Sequence, residues 1–134
     1  MSCLVDTNII SELCRREPDR GVLAWAQGVR RLAVSVISTE EIFFGLAWRP
    51  NERVLAWIET FFERHEVLAV THAIARRAGE LRGALAARGI VREQADMLIA
   101  ATAQVHQLTL VTRNARDFEG CGIGLLNPFS DIGP

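Results

Sequence analysis

The stretch Cys3-Leu4-Val5-Asp6-Thr7-Asn8-Ile9-Ile10 decides how the rest of the chain is read. A short apolar run ends on a polar Asp-Thr-Asn turn, and apolar side chains then return at helical spacing through Ile9, Ile10 and Leu13. That is a strand, a turn and a helix, with a carboxylate where the strand stops. The alternation continues outward, as expected when a parallel sheet is wrapped by helices.

Pro18-Asp19 restarts a helix carrying Val22, Leu23 and Trp25; Gly28 separates it from Leu32-Ala33-Val34-Ser35-Val36, which has the β-branched character of a buried strand. Ser38-Thr39-Glu40-Glu41 has the capping-box form, predicting Ser38 as N-cap and Glu41 in the first turn of a helix that ends before Pro50. Asn51 caps a further helix with Val54, Leu55, Ile58, Phe61 and Phe62, leading into a strand over Val67-Leu68-Ala69-Val70. From His72 to Arg88, apolar Ile74, Ala78, Leu81 and Leu85 share one helical face, and Gly89 stops the helix. Met97 to Ala103 is apolar all round and predicts a central helix. Thr109-Leu110-Val111-Thr112 and Leu125-Leu126 supply the last strands. The expected class is therefore α/β, a central parallel sheet flanked by helices, in one domain over 1–134, since 134 residues suit a single core.

Composition narrows the chemistry. With 49% hydrophobic and 23% charged residues, the chain is globular and needs no staple to fold. Fifteen basic against 16 acidic residues give a net charge of -1, so any site for a polyanion must be local. Every basic residue is arginine, which excludes a P-loop lysine and Schiff-base catalysis. Cys3, Cys14 and Cys121 are odd in number and widely spaced, pointing to buried thiols in a reducing compartment. His65, His72 and His106 lack metal-ligand spacing and are expected at helix ends or on polar faces. The opening residues lack a basic, apolar leader, and no run approaches a membrane span. A cytoplasmic protein with no membrane partner is expected.

In open parallel sheets, ligands bind beyond the carboxyl ends of the strands. Asp6 follows the first strand, Glu41 lies early in the helix after the second, Asp96 opens the apolar central helix, and Asp117 lies beyond Thr112 in Thr-Arg-Asn-Ala-Arg-Asp-Phe. Each has an ordinary use as cap, dipole partner or loop acid. Four carboxylates at one end of a small domain should repel, unless a hard cation such as Mg²⁺ or Mn²⁺ neutralises them. Such a cage suits phosphate chemistry, in which one or two ions polarise a phosphoryl oxygen and activate water. Thr7, Asn8, Ser38, Thr112 and Asn114 can orient the carboxylates. Arg113 and Arg116 are candidates for a substrate phosphate, with Arg88 and Arg92 weaker ones.

At these residues the chain resembles the PIN-domain ribonucleases, and among them the VapC-type toxins of type II toxin–antitoxin pairs. The likeness runs from Leu4-Val5-Asp6-Thr7-Asn8 through Ser35 to Ile42 and Asp96 to Ala103, then Thr112 to Phe118, ending near Asn127-Pro128. It implies a PIN-like αβα sandwich in which Asp6, Glu41, Asp96 and Asp117 are the four acids, with Thr112 and Asn114 as polar support. Ile42 after Glu41 favours that residue over Glu40 as the second acid. The resemblance further implies Mg²⁺- or Mn²⁺-dependent cleavage of RNA, a homodimer, and a cognate antitoxin that blocks the site.

Two other readings stay open. A small metal-dependent phosphatase also places an aspartate after its first strand, but a D-x-D nucleophile pair would need an acid where Asn8 stands. A phospho-acceptor domain would need a lysine, and an acid near Val70-Thr71-His72. A catalytically silent binding module on the same fold would keep the acids without turnover.

Overall fold

The structure is a computed structural model that describes residues 1–130. Five strands form one parallel sheet: β1 (Ser2–Val5), β2 (Arg31–Ser35), β3 (Glu66–Leu68), β4 (Thr109–Val111) and β5 (Leu125–Leu126), in the order β3-β2-β1-β4-β5. Six helices accompany them: α1 (Thr7–Leu13), α2 (Arg20–Gln27), α3 (Val36–Trp48), α4 (Glu52–Arg64), α5 (His72–Ala86) and α6 (Gln94–Val105). Val5 lies beside Val34 on one flank and Val111 on the other, so the three central strands end level with one another.

Alternation along the strands separates two cores. Leu4, Ala33 and Leu110 pack with α5 and α6 through Ile74, Leu81, Ile99 and Ala100. Cys3, Val5, Val34 and Val111 pack on the other face with Ile9, Ile10, Val22 and Ile58. The all-round apolar stretch is the most enclosed helix, with Met97, Ile99 and Ala100 to Ala103 buried, as its sequence predicts. The parallel sheet between helical layers is the expected PIN-like sandwich.

Several local expectations are corrected. Ser38 is not an N-cap: the chain passes directly from β2 into α3, and Ser35 caps the helix by accepting from the Ile37 N–H at 3.0 Å. Val36 and Ile37, β-branched and strand-like in sequence, are the first helical residues. Glu41 accordingly lies beyond the first turn, closing no capping box. The third strand is Glu66–Leu68 and stops short of Val70, because Thr71 caps α5 by accepting from the Ile74 N–H. The three cysteines are buried and free. His65 and His106 follow the last residues of α4 and α6, and His72 opens α5. Among the described residues, no helix is long and apolar enough to cross a membrane.

Candidate active site

The candidate site lies where β1, β2 and β4 end together. Asp6 is at once the N-cap of α1 and the continuation of the sheet: its N–H donates to the Val111 carbonyl at 2.9 Å, and its Oδ1 accepts from the Thr7 N–H at 2.8 Å. Its Oδ2 accepts from the Thr112 hydroxyl at 2.9 Å and the Asn8 amide at 3.3 Å. The residue is only 6% exposed. Burial pushes its pKa up, and Asp117 adds to that, against the hydrogen bonds from Thr112, Thr7 and Asn8.

Glu41 reaches the same end from α3. Thr7 Oγ lies 2.7 Å from Glu41 Oε1 and 2.8 Å from Ser38 Oγ. A carboxylate only accepts, so the single Thr7 proton goes to Glu41 and the buried Ser38 hydroxyl completes the chain. Thr112 is equally enclosed; besides donating to Asp6, it accepts from the Asn114 backbone N–H at 3.0 Å. Asn114 thus joins through its backbone. Asn8 ties the loop from β4 down, its Oδ1 accepting from the Arg113 N–H at 3.2 Å.

Asp96 stands in the first turn of α6, and Asp117 in a 3-10 turn over Ala115–Phe118. The Asp96 pKa is pushed up to about 6, first by burial, then by the charges of Asp6, Asp117, Glu41 and Glu93. Asp96 therefore lies within electrostatic reach of the other three predicted acids. Glu93, the residue preceding α6, is a fifth acid that sequence reading missed; its place one helical turn before Asp96 was the available signal.

The arginines divide differently. Arg92 is committed to backbone: it donates to the Arg116 carbonyl at 2.8 Å and the Glu119 carbonyl at 3.1 Å, strapping down the turn that carries Asp117. Arg88 is exposed beyond the end of α5. Arg113 and Arg116 are exposed near the acids in sequence, and the Arg113 guanidinium lies over the Phe129 ring at 4.3 Å.

Among the described residues, no three His, Cys, Asp or Glu side chains close into a coordination shell as they stand. The donor chemistry nevertheless fits Mg²⁺ or Mn²⁺: the groups are all carboxylate oxygens, and the neighbouring negative charges that, after burial, raise Asp96 are what a divalent charge relieves. Beside the acids, a groove of about 390 Å³ runs between α1, α3 and α4, lined by Thr7, Glu41, Ile42, Leu46, Val54 and Arg49 among others.

Comparison with known proteins gives a consistent picture. The PIN domain family matches residues 3–120. A VapC ribonuclease from Sinorhizobium fredii, Y4jK, is 35% identical over 94% of this chain and 96% of its own length. A tRNA(fMet)-specific endonuclease VapC from Shigella flexneri is 31% identical over 89% of this chain and 91% of its own. Among solved structures, DNA-bound VapBC from Salmonella typhimurium superposes with a TM-score of 0.82 at 30% identity, covering 93% of this chain and 96% of that one. With its sheet order, its acids at the strand ends and these relatives, the chain belongs to the PIN domain family, among the VapC-type ribonuclease toxins.

Proposed function

We propose that this protein is a Mg²⁺- or Mn²⁺-dependent endoribonuclease, the toxin of a toxin–antitoxin pair, and that Asp6, Glu41, Asp96 and Asp117 form its catalytic centre. The observation that carries the reading is the Asp96 carboxyl, raised by burial and then by the charges of Asp6, Asp117 and Glu41, at the end of the sheet where β1, β2 and β4 stop level. A divalent ion bound there would supply Lewis acidity toward a phosphodiester oxygen and acidify an attacking water.

The protein's own residues do the rest. Thr112 and Asn8 fix the Asp6 carboxylate, and Thr7 with Ser38 fixes Glu41. Fixed orientation matters because a ligand set that must reorganise loses affinity and rate. Arg113 and Arg116 hold a substrate phosphate by paired N–H donors. Transfer RNA is the leading substrate class, supported by the tRNA-specific relative. The toxin–antitoxin complexes among the structural neighbours support an antitoxin partner that covers the acids, and the family resemblance supports a homodimer.

The test is sequencing of new RNA 5′ ends on total cellular RNA, with Mg²⁺ or Mn²⁺ and after chelation. Wild type should cut at defined sites, and Asp6→Asn, Glu41→Gln, Asp96→Asn and Asp117→Asn should each lose about tenfold to a thousandfold. Equal cleavage by wild type and Asp6→Asn would overturn the assignment. No cleavage by wild type in any divalent ion would favour a silent binding module.

A further inference from the structure

Two adjoining hollows open where β2 and β3 begin, at the end of the sheet opposite the acids. One, of about 470 Å³, runs along α4 beside Arg53, Trp57, Phe61 and Arg64; the other, of about 390 Å³, lies between the ends of α2 and α4 beside Arg30, Arg31 and Glu66. Arg64 and His65 line both, so the two form one trough. Four arginines meet a single carboxylate there, in a chain whose net charge is -1.

Charge is segregated around α4. Arg53, Trp57, Phe61 and Arg64 recur every three or four residues and share one face, whereas Glu59 and Glu63 line a different hollow with Phe43 of α3. Arg53 is anchored, its Nη1 donating to the Cys14 carbonyl at 2.9 Å. Arg31 is committed to Glu66, with Nε at 3.0 Å and Nη2 at 2.6 Å from the same carboxylate oxygen. Arg30 and Arg64 are exposed and make no ion pair among the described residues. Between the guanidiniums lies a row of rings: Trp57 stacks on Phe61 with centroids 5.3 Å apart, and Phe61 meets His65 at 4.5 Å. Burial and then the Arg64 charge lower the His65 pKa, so that ring is neutral near pH 7.

We propose that this trough is a second RNA contact, in which Arg30 and Arg64 bind backbone phosphates of the substrate at a distance from the cleaved bond. Guanidiniums interleaved with flat rings suit nucleic acid, whose phosphates pair while its bases lie on apolar faces; an acidic peptide would use the charge alone. At about 3.3 Å per residue β2 is about 16 Å long, so trough and acids lie roughly that far apart. A stacked strand advances about 3.4 Å per nucleotide, and only a longer or folded RNA touches both. The trough thereby favours such substrates without entering the chemistry. The inference rests on the ribonuclease reading above.

The experiment is steady-state cleavage, at saturating Mn²⁺, of the RNA that the 5′-end mapping identifies. It is used whole and as a piece of about four nucleotides around the cut, too short when stacked to reach across the sheet. The variants are Arg30→Gln, Arg64→Gln, their pair, and Arg76→Gln on an exposed arginine of α5 as the charge control. Each trough variant should raise KM for the whole RNA about fivefold at physiological salt and reduce the salt slope of log KM by about one, as loss of one phosphate contact does. The two effects should multiply in the pair, while kcat, the Mn²⁺ response, the melting temperature and kcat/KM on the short piece stay unchanged. Arg76→Gln should match wild type throughout. The proposal is overturned if the pair keeps the wild-type KM and salt slope, if the short piece suffers equally, or if Arg76→Gln does as much as Arg64→Gln. An unchanged KM with weakened antitoxin binding would overturn it too, giving the trough to the protein partner. Absence of any cleavage by wild type is a separate outcome, in which the ribonuclease reading fails and the trough proposal falls with it.

Discussion

The hydroxyl of Thr112 donates to Asp6 Oδ2 at 2.9 Å, joining the ends of two adjacent central strands across 106 positions of sequence. Both groups are buried, and Thr112 Oγ also accepts from the Asn114 N–H. One side chain therefore fixes the first acid and the start of the loop that leads to the fourth.

Thr112→Val should accordingly damage the site more than the core. Valine keeps the volume but leaves the Asn114 N–H without its acceptor and Asp6 with one donor fewer, costing about 1–3 kcal/mol of stability. Cleavage at limiting Mn²⁺ should fall about tenfold or more, since the carboxylate loses its orienting partner. Rates measured against Mn²⁺, alongside thermal melting, check this; a variant with wild-type Mn²⁺ dependence would remove Thr112 from the site.

Arg92→Ala should loosen the turn that carries Asp117, because the guanidinium holds the Arg116 and Glu119 carbonyls. Arg92→Lys should rescue poorly, as one ammonium does not reproduce a fork that spans two carbonyls. The expected signature is activity that needs more Mn²⁺, with RNA affinity retained. Loss of RNA affinity alone would return Arg92 to the list of phosphate contacts.

These cases show what the sequence made legible. Asp6, Asp96 and Asp117 could be placed because strand ends and an apolar helix mark their positions in a linear pattern. The contact of Glu41 with Thr7 has no signal in the sequence, and its helix begins after Ser35 where the sequence predicts Ser38, because Val36 looks like strand. Arg92 could not be told from a phosphate ligand, since its partners are backbone carbonyls more than twenty positions away. The hydrogen bond from the Ser130 hydroxyl to Asp19 spans 111 positions without any period to announce it.

Two acids give opposite pH signatures in the metal-free protein. Asp96, raised to about 6, binds its proton more tightly when folded than when unfolded, so stability falls as pH rises from about 4 to above 6. Asp19, lowered to about 2 chiefly by the Ser130 hydroxyl, stabilises above about 4 and loses that contribution as pH falls toward 2. Melting temperature should thus decline between pH 4.5 and 7 in wild type, and less in Asp96→Asn or with saturating Mn²⁺. Identical pH profiles for wild type and Asp96→Asn would show that Asp96 carries no strain from its neighbours.

The final prediction concerns the antitoxin proposed above. The groove between α1, α3 and α4 reaches the acids at Thr7 and Glu41 and is apolar along Ile42, Leu46, Val54 and Ile58. Of the three tryptophans, Trp25 and Trp57 are half-buried and only Trp48, at 67% exposure, stands out on α3, beside exposed Phe44. An amphipathic antitoxin segment lying in this groove would place a basic side chain, arginine best, against carboxylates that otherwise repel one another. Its charge would substitute for the divalent ion, so ion and antitoxin should compete. Inhibition should weaken as Mg²⁺ rises at fixed ionic strength, and an antitoxin lacking that arginine should inhibit less while still binding through its apolar face. Trp48→Ala should lower antitoxin affinity without altering the Mg²⁺ dependence of cleavage, because its ring lies on α3 away from the acids' hydrogen-bond network. Titration of toxin with antitoxin at several Mg²⁺ concentrations decides between the two modes of inhibition: a Kd and an inhibition curve that ignore Mg²⁺ would mean that the antitoxin covers or distorts the site without touching the carboxylates.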